Sequence, residues 1–426
     1  MQNKELYKSI LAFVPVVGLL IVAASMPFGY SNIQRTGHYI LGIGYVLDYV
    51  VNQRWRGWRW GRDKWVYVTL ILLFLMLPAW QLWDKTPPTN YFWHQLDRHI
   101  MFIAVGVGGI LGFSDKFRLQ YVGYVMLLVG LYIVGLNTYY YMECHPMFPF
   151  DTLLYNRVRA EKINSHMVIN LYMNTAIIIG FWILHQPFRK WVKECVGVAM
   201  IILWCYVLLS VGRAGFITSL LIVGVFGMTY IWKIKKAYSI ALSIGIVALL
   251  TVLVLQNQRL EADVMLKNPR LPVWNYSARM IAEHPCMGYG VSTMSTEFVE
   301  QMYHDDIAYE GFVRGIMSVP EFIPWGKSMM THHPHNAFLT IWLEFGLFGI
   351  ITLLLFFVAA IVMPTRDMRL YVWMFLVALF IQMMFEPLGD HLQPQFISVI
   401  LLSLQLACYP PSVAAPCRTD DTACGK

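Results

Sequence analysis

Long apolar runs separated by short polar segments occupy most of the chain. Runs such as 65–83 and 237–255 come close to the roughly 20 residues that a helix needs to cross the hydrocarbon core of a bilayer. In order along the chain, the runs lie near 9–26, 37–51, 65–83, 97–113, 119–136, 164–184, 194–211, 216–232, 237–255, 336–363, 370–385 and 396–409. This pattern predicts an all-α polytopic membrane protein with about twelve transmembrane helices.

Basic residues lie mostly in short segments between alternate apolar runs. These segments contain Arg54, Arg56, Arg59, Arg62 and Lys64; Lys116 and Arg118; Arg189, Lys190 and Lys193; Lys233, Lys235 and Lys236; and Arg366 and Arg369. The positive-inside rule places them, with Lys4 and Lys8, in the cytoplasm, so both termini are expected there. The predicted organisation is helices 1–9 within 1–255, a long periplasmic loop at 256–335, helices 10–12 within 336–409 and a cytoplasmic tail at 410–426.

Composition agrees with this membrane assignment and removes another class of function. Hydrophobic residues make up 58% of the chain and charged residues 13%, where a soluble domain has about 25% charged. The net charge of +7 belongs largely to the cytoplasmic segments, so it does not indicate nucleic-acid binding. The seven cysteines lack paired metal-ligand spacing. Cys144 and Cys286 are expected in an oxidising compartment, where they could pair, although two free thiols are the simpler interpretation.

The predicted outer loop at 256–335 is polar and rich in Pro, Gly and Asn. Loops of this length are uncommon unless they are functional. The segments 274–283 and 296–309 have helical spacing, so we expect a partly helical loop that lies over the transmembrane bundle.

Several basic residues are predicted on the outer side, where the usual charge bias disfavours those in short loops but says little about a long loop. They are Arg157, Arg159, Lys162, Arg213, Arg259, Lys267, Arg270, Arg279, Arg314 and Lys327. Guanidinium groups bind phosphate oxygens with two parallel hydrogen bonds, so these residues suit a lipid-linked phosphate or diphosphate. The alternative for the loop arginines is ion pairing with loop acids such as Glu261 and Glu283.

Arg213 stands in a tight turn between two apolar runs, with no acidic neighbour. A charge so near hydrocarbon needs a partner. Its small neighbours Gly212, Ala214 and Gly215 would let a phosphate approach the backbone as well as the side chain. The alternative is that Arg213 extends to the lipid headgroups.

Three histidines precede the tenth run, in the segment His332-His333-Pro334-His335-Asn336. Their spacing directs the rings to different sides, which disfavours a zinc site. A histidine at an outer helix start can instead accept a proton from an attacking hydroxyl. Asn336 could cap the following helix. Glu344, nine residues beyond His335, would lie on another helix face, so a packing or hydrogen-bonding role is expected.

Three local patterns make the chain resemble the O-antigen ligases and their relatives, the O-antigen polymerases and protein O-oligosaccharyltransferases of bacterial inner membranes. The first is the arginine turn at 210–215. The second runs from Arg270 and Trp274 to Pro285-Cys286-Met287-Gly288-Tyr289-Gly290, and the third is His335-Asn336-Ala337-Phe338-Leu339 followed by Glu344-Phe345-Gly346.

This resemblance implies a GT-C-like fold and an inverting, metal-independent glycosyltransferase without a cofactor. Its donor would be a glycan on undecaprenyl pyrophosphate and its acceptor a sugar hydroxyl of lipid A-core, at the periplasmic face of the inner membrane. His335 would be the base, and Arg213 and Arg270 would hold the diphosphate. The residues implied in further substrate contacts are Arg157, Arg159, Arg279, His333 and Asn336.

Other functions are open at this stage. A polymerase or a protein glycosyltransferase would use the same donor chemistry with a different acceptor. A lipid-linked glycan transporter also has about twelve spans, but it would be expected to show repeats and ionisable residues at mid-membrane. Asp48 is the main residue of that kind here, and a hydrogen bond within the bundle would account for it.

Overall fold

The protein is described by a computed structural model, and in the part of the chain that it describes every regular element is a helix. The structure describes residues 2–28, 31–57, 60–61, 64–84, 87–88, 90–112, 117–144, 166–210, 212–234, 270–291, 293–294, 298, 334–365 and 367–385. The helices in these ranges are α1 (Gln2–Ser25), α2 (Ser31–Val51), α3 (Trp65–Asp84), α4 (Asn90–Leu111), α5 (Leu119–Cys144), α6 (His166–His185), α7 (Lys190–Leu209), α8 (Arg213–Ile234), α9 (Arg270–Glu283), α10 (Ala337–Val362) and α11 (Arg369–Met383), with a short 3₁₀ helix at Arg54–Gly57.

Six of the described helices are long and apolar enough to cross a membrane: α1, α3, α5, α6, α7 and α10. The apolar parts of α8 and α11 are shorter. Charged residues interrupt α2 and α4, where Arg35 forms an ion pair with Asp97. The all-helical prediction is confirmed, whereas the predicted runs at 237–255 and 396–409 lie outside the described residues. The count of twelve therefore stays a prediction.

Helix α6 is the centre of one half of the bundle. Every residue from Val168 to Gly180 is buried, and α6 packs against α5, α7, α8 and α11. Small residues permit these close contacts, because a Cβ atom on Gly123 would lie 2.7 Å from Ile179 and one on Gly180 would lie 2.5 Å from Met200. The other half contains α1–α4 and α10, with α10 packed on α3.

Contacts between helices show which helix ends lie together. The Tyr371 hydroxyl at the start of α11 is 3.0 Å from Nδ1 of His185 at the end of α6. Phe226 of α8 stacks on both Phe181 and Tyr371, and Gly215 at the start of α8 accepts from Asn174 in the first half of α6, so α8 runs in the same direction as α6. At the other end, Asn336 donates a 3.2 Å hydrogen bond to the Met384 carbonyl just after α11. The starts of α6, α8 and α10 therefore share one end of the bundle, which we call the His335 end.

Basic residues lie at the opposite end. Lys64, before α3, donates to the Ile110 carbonyl near the end of α4, at 2.7 Å. Asp48, only 1% exposed, pairs with Arg54 at 2.7 Å and accepts from Asn52 at 2.6 Å. The expectation that Asp48 is hydrogen-bonded within the bundle is confirmed. Its carboxylate is engaged at a helix end, which differs from the mid-membrane proton carrier of a transporter.

Candidate active site

His335 occupies a constrained position immediately before α10. Its φ of 51° lies in the left-handed region, which non-glycine residues seldom adopt but which histidine visits more often than most. Such a conformation costs on the order of 1–3 kcal/mol and persists where neighbouring contacts enforce it. Those contacts are present on both sides: the Trp274 indole donates to the Pro334 carbonyl at 3.0 Å, and Asn336 begins the helix. The half-buried His335 ring is thus attached to a fixed piece of backbone.

Asn336 is the N-cap of α10. Its Oδ1 accepts from the backbone N–H groups of Phe338 and Leu339, at 3.0 and 3.1 Å, while its Nδ2 donates to Met384. The cap interpretation from the sequence is therefore confirmed. Its amide is engaged on both sides, so substrate binding by Asn336 stays a prediction.

Helix α9 carries Arg270 and Arg279 and contacts this segment through Trp274. The helical spacing expected at 274–283 is confirmed, and the helix begins four residues earlier, at Arg270. Arg270 is one helical turn before Trp274, whose indole bonds to Pro334, so its backbone lies near the His335 segment. Arg279 is exposed. The second helical segment expected at 296–309 lies almost entirely outside the described residues.

Helix α10 is broken at Gly346, where φ is 62° and ψ is −152°. The break frees the carbonyls of Leu343 and Glu344, which accept from the backbone N–H groups of Tyr289 and Gly290 at 2.7 and 3.0 Å. Beyond the break, the Leu347 N–H donates to the Pro285 carbonyl at 3.0 Å. Backbone groups at membrane depth must find partners within the protein, and here the 284–290 segment supplies them.

Two tryptophans and two glycines hold the 284–290 segment on α10. Trp342 donates to the Pro285 carbonyl at 3.0 Å, and Trp80 of α3 donates to the Met287 carbonyl at 2.6 Å. A Cβ atom on Gly346 would overlap the Cys286 carbonyl, and one on Gly288 would lie 2.5 Å from the Leu343 carbonyl. At both glycines the backbones of the 284–290 segment and of α10 are in direct contact. The Pro-x-x-Gly-x-Gly pattern and the Glu-x-Gly pattern therefore form one packed unit. Cys286, in this segment, and Cys144 are both free thiols, so the simpler interpretation of the cysteines is confirmed.

The arginine turn is fastened to α6 by two asparagines. Ser210 donates to Oδ1 of Asn170 at 2.9 Å, and Nδ2 of Asn174 donates to the Gly215 carbonyl at 3.1 Å. Asn170 and Asn174 are 0% and 1% exposed. Arg213 is the first residue of α8, and Gly212 accepts the first helical hydrogen bond, from Phe216 at 3.0 Å. The backbone of Arg213 is therefore fixed at the His335 end of the bundle.

The three predicted catalytic residues have their backbones at one end of the described bundle. His335 and the helix-start positions of Arg213 and Arg270 all lie there, on α10, α8 and α9. The remaining candidates Arg157, Arg159 and His333 lie outside the described residues, and so does His332.

Three buried amides near this end were missed by sequence reasoning. Nδ2 of Asn170, Oδ1 of Asn174 and Nε2 of Gln382 have no hydrogen-bond partner in the described part of the chain. Gln382 on α11 and Asn174 on α6 are equally far along their helices from the Tyr371–His185 contact, so they lie at a similar depth. Asn170 and Asn174 stand four residues apart in an apolar run, and this spacing could have identified a polar face on α6.

Glu344 belongs to a second buried region. It lines a cavity of about 30 Å³ with His99 and Thr340, among α3, α4 and α10. A space of this size can hold a water molecule or two. Its burial agrees with the packing or hydrogen-bonding role expected from the sequence.

Residues 198–354 match the family model described as O-antigen ligase. This stretch runs from within α7 into α10 and contains the Arg213 turn, α9, the 284–290 segment, His335 and the break in α10. The matched part, 157 of the 426 residues, is similar to the O-antigen ligase family. A search of curated proteins finds no match to the chain.

This match confirms the resemblance to the O-antigen ligase family that the sequence patterns indicated. The matched segment is similar to a family of glycosyltransferase-like enzymes, and the six long apolar helices indicate an integral membrane protein.

Proposed function

We propose that this protein is an O-antigen ligase that transfers a polysaccharide from undecaprenyl pyrophosphate to a sugar hydroxyl of lipid A-core. The reaction takes place at the periplasmic face of the bacterial inner membrane, without a metal ion or nucleotide. The observation that carries the proposal is the family match to a region that contains His335 and the helix starts at Arg213 and Arg270, which lie at one end of the bundle.

The charge distribution supports the orientation. Lys64, Arg118 and Lys190 lie at the end opposite His335, beside the starts of α3, α5 and α7. Cytoplasmic segments are enriched in Lys and Arg, so that end belongs in the cytoplasm. His335 then faces the periplasm, where both the carrier lipid and lipid A-core present their sugars.

The chemistry is a single displacement at the anomeric carbon of the donor sugar. The acceptor hydroxyl oxygen forms a bond to that carbon, the bond from carbon to the diphosphate oxygen breaks, and the hydroxyl proton passes to His335. General base catalysis of this kind contributes roughly 10²–10⁴-fold to the rate. Arg213 and Arg270 stabilise the charge that develops on the diphosphate, which takes the place of a divalent ion. Displacement from the opposite side inverts the anomeric centre.

Further candidates would contact the polar parts of the substrates. Arg279 is exposed on α9 and suits an anionic sugar or phosphate. We assign the same kind of role to Arg157, Arg159 and His333, with Asn336 acting through its cap of α10.

The test is a reaction of the purified protein with carrier-linked glycan and lipid A-core in the presence of EDTA and without nucleotide. We expect glycan joined to lipid A-core. A longer glycan still attached to the carrier would identify a polymerase instead, and transfer to serine or threonine a protein glycosyltransferase. Movement of the carrier across a vesicle without a covalent product would identify a transporter, and a requirement for ATP or a divalent ion would contradict the mechanism.

A further inference from the structure

We propose that the side-chain N–H of Asn170 donates a hydrogen bond to a phosphate oxygen of the lipid diphosphate, which makes Asn170 a donor-binding residue. This inference rests on the proposed function, because it assumes a diphosphate donor. It adds a residue of α6, which lies outside the matched segment at 198–354.

Half of the Asn170 amide is engaged and half is not. Oδ1 accepts from Ser210 at 2.9 Å, whereas Nδ2 is buried and has no hydrogen-bond partner in the described part of the chain. Leaving a buried donor unsatisfied costs about 1–3 kcal/mol, and the great majority of buried polar groups in proteins are paired. A donor kept open inside a well-packed helix contact points to a ligand atom as its partner.

The position of Nδ2 indicates the kind of ligand. It lies 2.5 and 2.6 Å from where Cβ atoms would stand on Gly212 and Gly215, so it occupies the space between these glycines at the start of α8. Gly212 is at the N-cap position and has no side-chain oxygen to satisfy the N–H groups of the first turn. The N-terminus of a helix also favours negative charge.

The groups that converge here are donors. They are the Asn170 amide N–H and the first-turn N–H groups of α8, the helix that begins at Arg213. A phosphate oxygen only accepts hydrogen bonds, so it can pair with each of these N–H groups. This set of donors therefore fits a phosphate and continues the binding role proposed for Arg213.

Asn170→Asp removes the side-chain N–H and keeps the oxygen that accepts the Ser210 hydrogen bond, so it tests the two halves of the amide separately. The aspartate has nearly the same shape and retains an oxygen for Ser210, but it replaces the N–H with an oxygen that repels phosphate. Asn137→Asp is the matched control, because Asn137 is also a buried asparagine and donates to the Tyr206 hydroxyl at 2.7 Å, in the α5–α7 contact. Thermal unfolding of both variants checks that they fold. If Asn170→Asp does not fold, Asn170→Ser replaces it in the experiment.

The experiment measures binding of glycan-free undecaprenyl diphosphate and of undecaprenol to the full-length protein in nanodiscs. We expect Asn170→Asp to weaken diphosphate binding at least tenfold and to leave undecaprenol binding unchanged, with Asn137→Asp like the wild type. Equal diphosphate binding by wild type and Asn170→Asp would overturn the inference and leave the proposed function intact. If the wild-type protein did not prefer the diphosphate over undecaprenol, the diphosphate donor itself would be wrong, and the inference would fail with it.

Discussion

At the scale of single residues, the geometry of His335 is the feature that most constrains a mechanism. Its left-handed backbone is held between the Trp274 hydrogen bond to Pro334 and the Asn336 cap. A base must lie within hydrogen-bond reach of the proton that it accepts, so a fixed backbone reduces the number of places the ring can reach. The His-Asn pair could be identified in the sequence by its position before an apolar run. The φ angle could not, because it depends on a tryptophan sixty positions earlier.

Two substitutions at His335 separate chemistry from backbone strain. Asparagine tolerates the left-handed region but cannot act as the base, so His335→Asn should retain the wild-type melting temperature and lose at least about 10²-fold in transfer rate. His335→Ala should lose as much activity and also some stability. Turnover with carrier-linked glycan and thermal unfolding measure the two effects. Near wild-type turnover by His335→Asn would remove the histidine from the mechanism.

At the scale of secondary-structure elements, the break in α10 couples the 284–290 segment to the membrane bundle. From sequence, 336–363 looks like one uninterrupted span, and its predicted bounds agree closely with Ala337–Val362. The break could not be predicted from the run itself, because glycine is common in transmembrane helices. What sets it is backbone pairing with Pro285, Tyr289 and Gly290, far away in the sequence.

Gly346→Ala tests this coupling. The combination of φ 62° and ψ −152° is nearly restricted to glycine, and the added methyl group would overlap the Cys286 carbonyl. We expect a loss of about 1–3 kcal/mol of stability and a large loss of transfer activity, measured by thermal unfolding and turnover. Gly227→Ala in α8 is the control, since no atom lies within 4 Å of its added Cβ, and it should be neutral or slightly stabilising. Equal behaviour of the two variants would contradict the described break.

At the scale of the whole molecule, the alternation of helix direction sets which residues can share a face of the membrane. Apolar runs and basic segments were sufficient to predict that α8 and α10 begin at the same end, which the described contacts confirm. The polar side of α6 was not predicted, although Asn170 and Asn174 stand one helical turn apart in its apolar run. Their importance follows from which helices surround α6, and that is a property of the assembled bundle.

Labelling of single cysteines tests the proposed orientation. Cys286 is exposed at the His335 end, and Lys190 is exposed at the start of α7 at the opposite end. In cells with a permeabilised outer membrane, an impermeant maleimide should label a protein that retains only Cys286. A protein whose single cysteine is Lys190→Cys should react only after the inner membrane is opened. The reverse pattern would invert the topology and place His335 in the cytoplasm.

The central place of α6 also sets an order for biogenesis. Ribosomes deliver α6 to the bilayer before α8 and α11 exist, so Asn170 and Asn174 first meet lipid tails, where an amide without a partner is unfavourable. Only when the Ser210 turn emerges can these amides leave that environment. A nascent chain that stops after α7 would therefore expose two amides within the membrane and be prone to recognition by quality-control proteases.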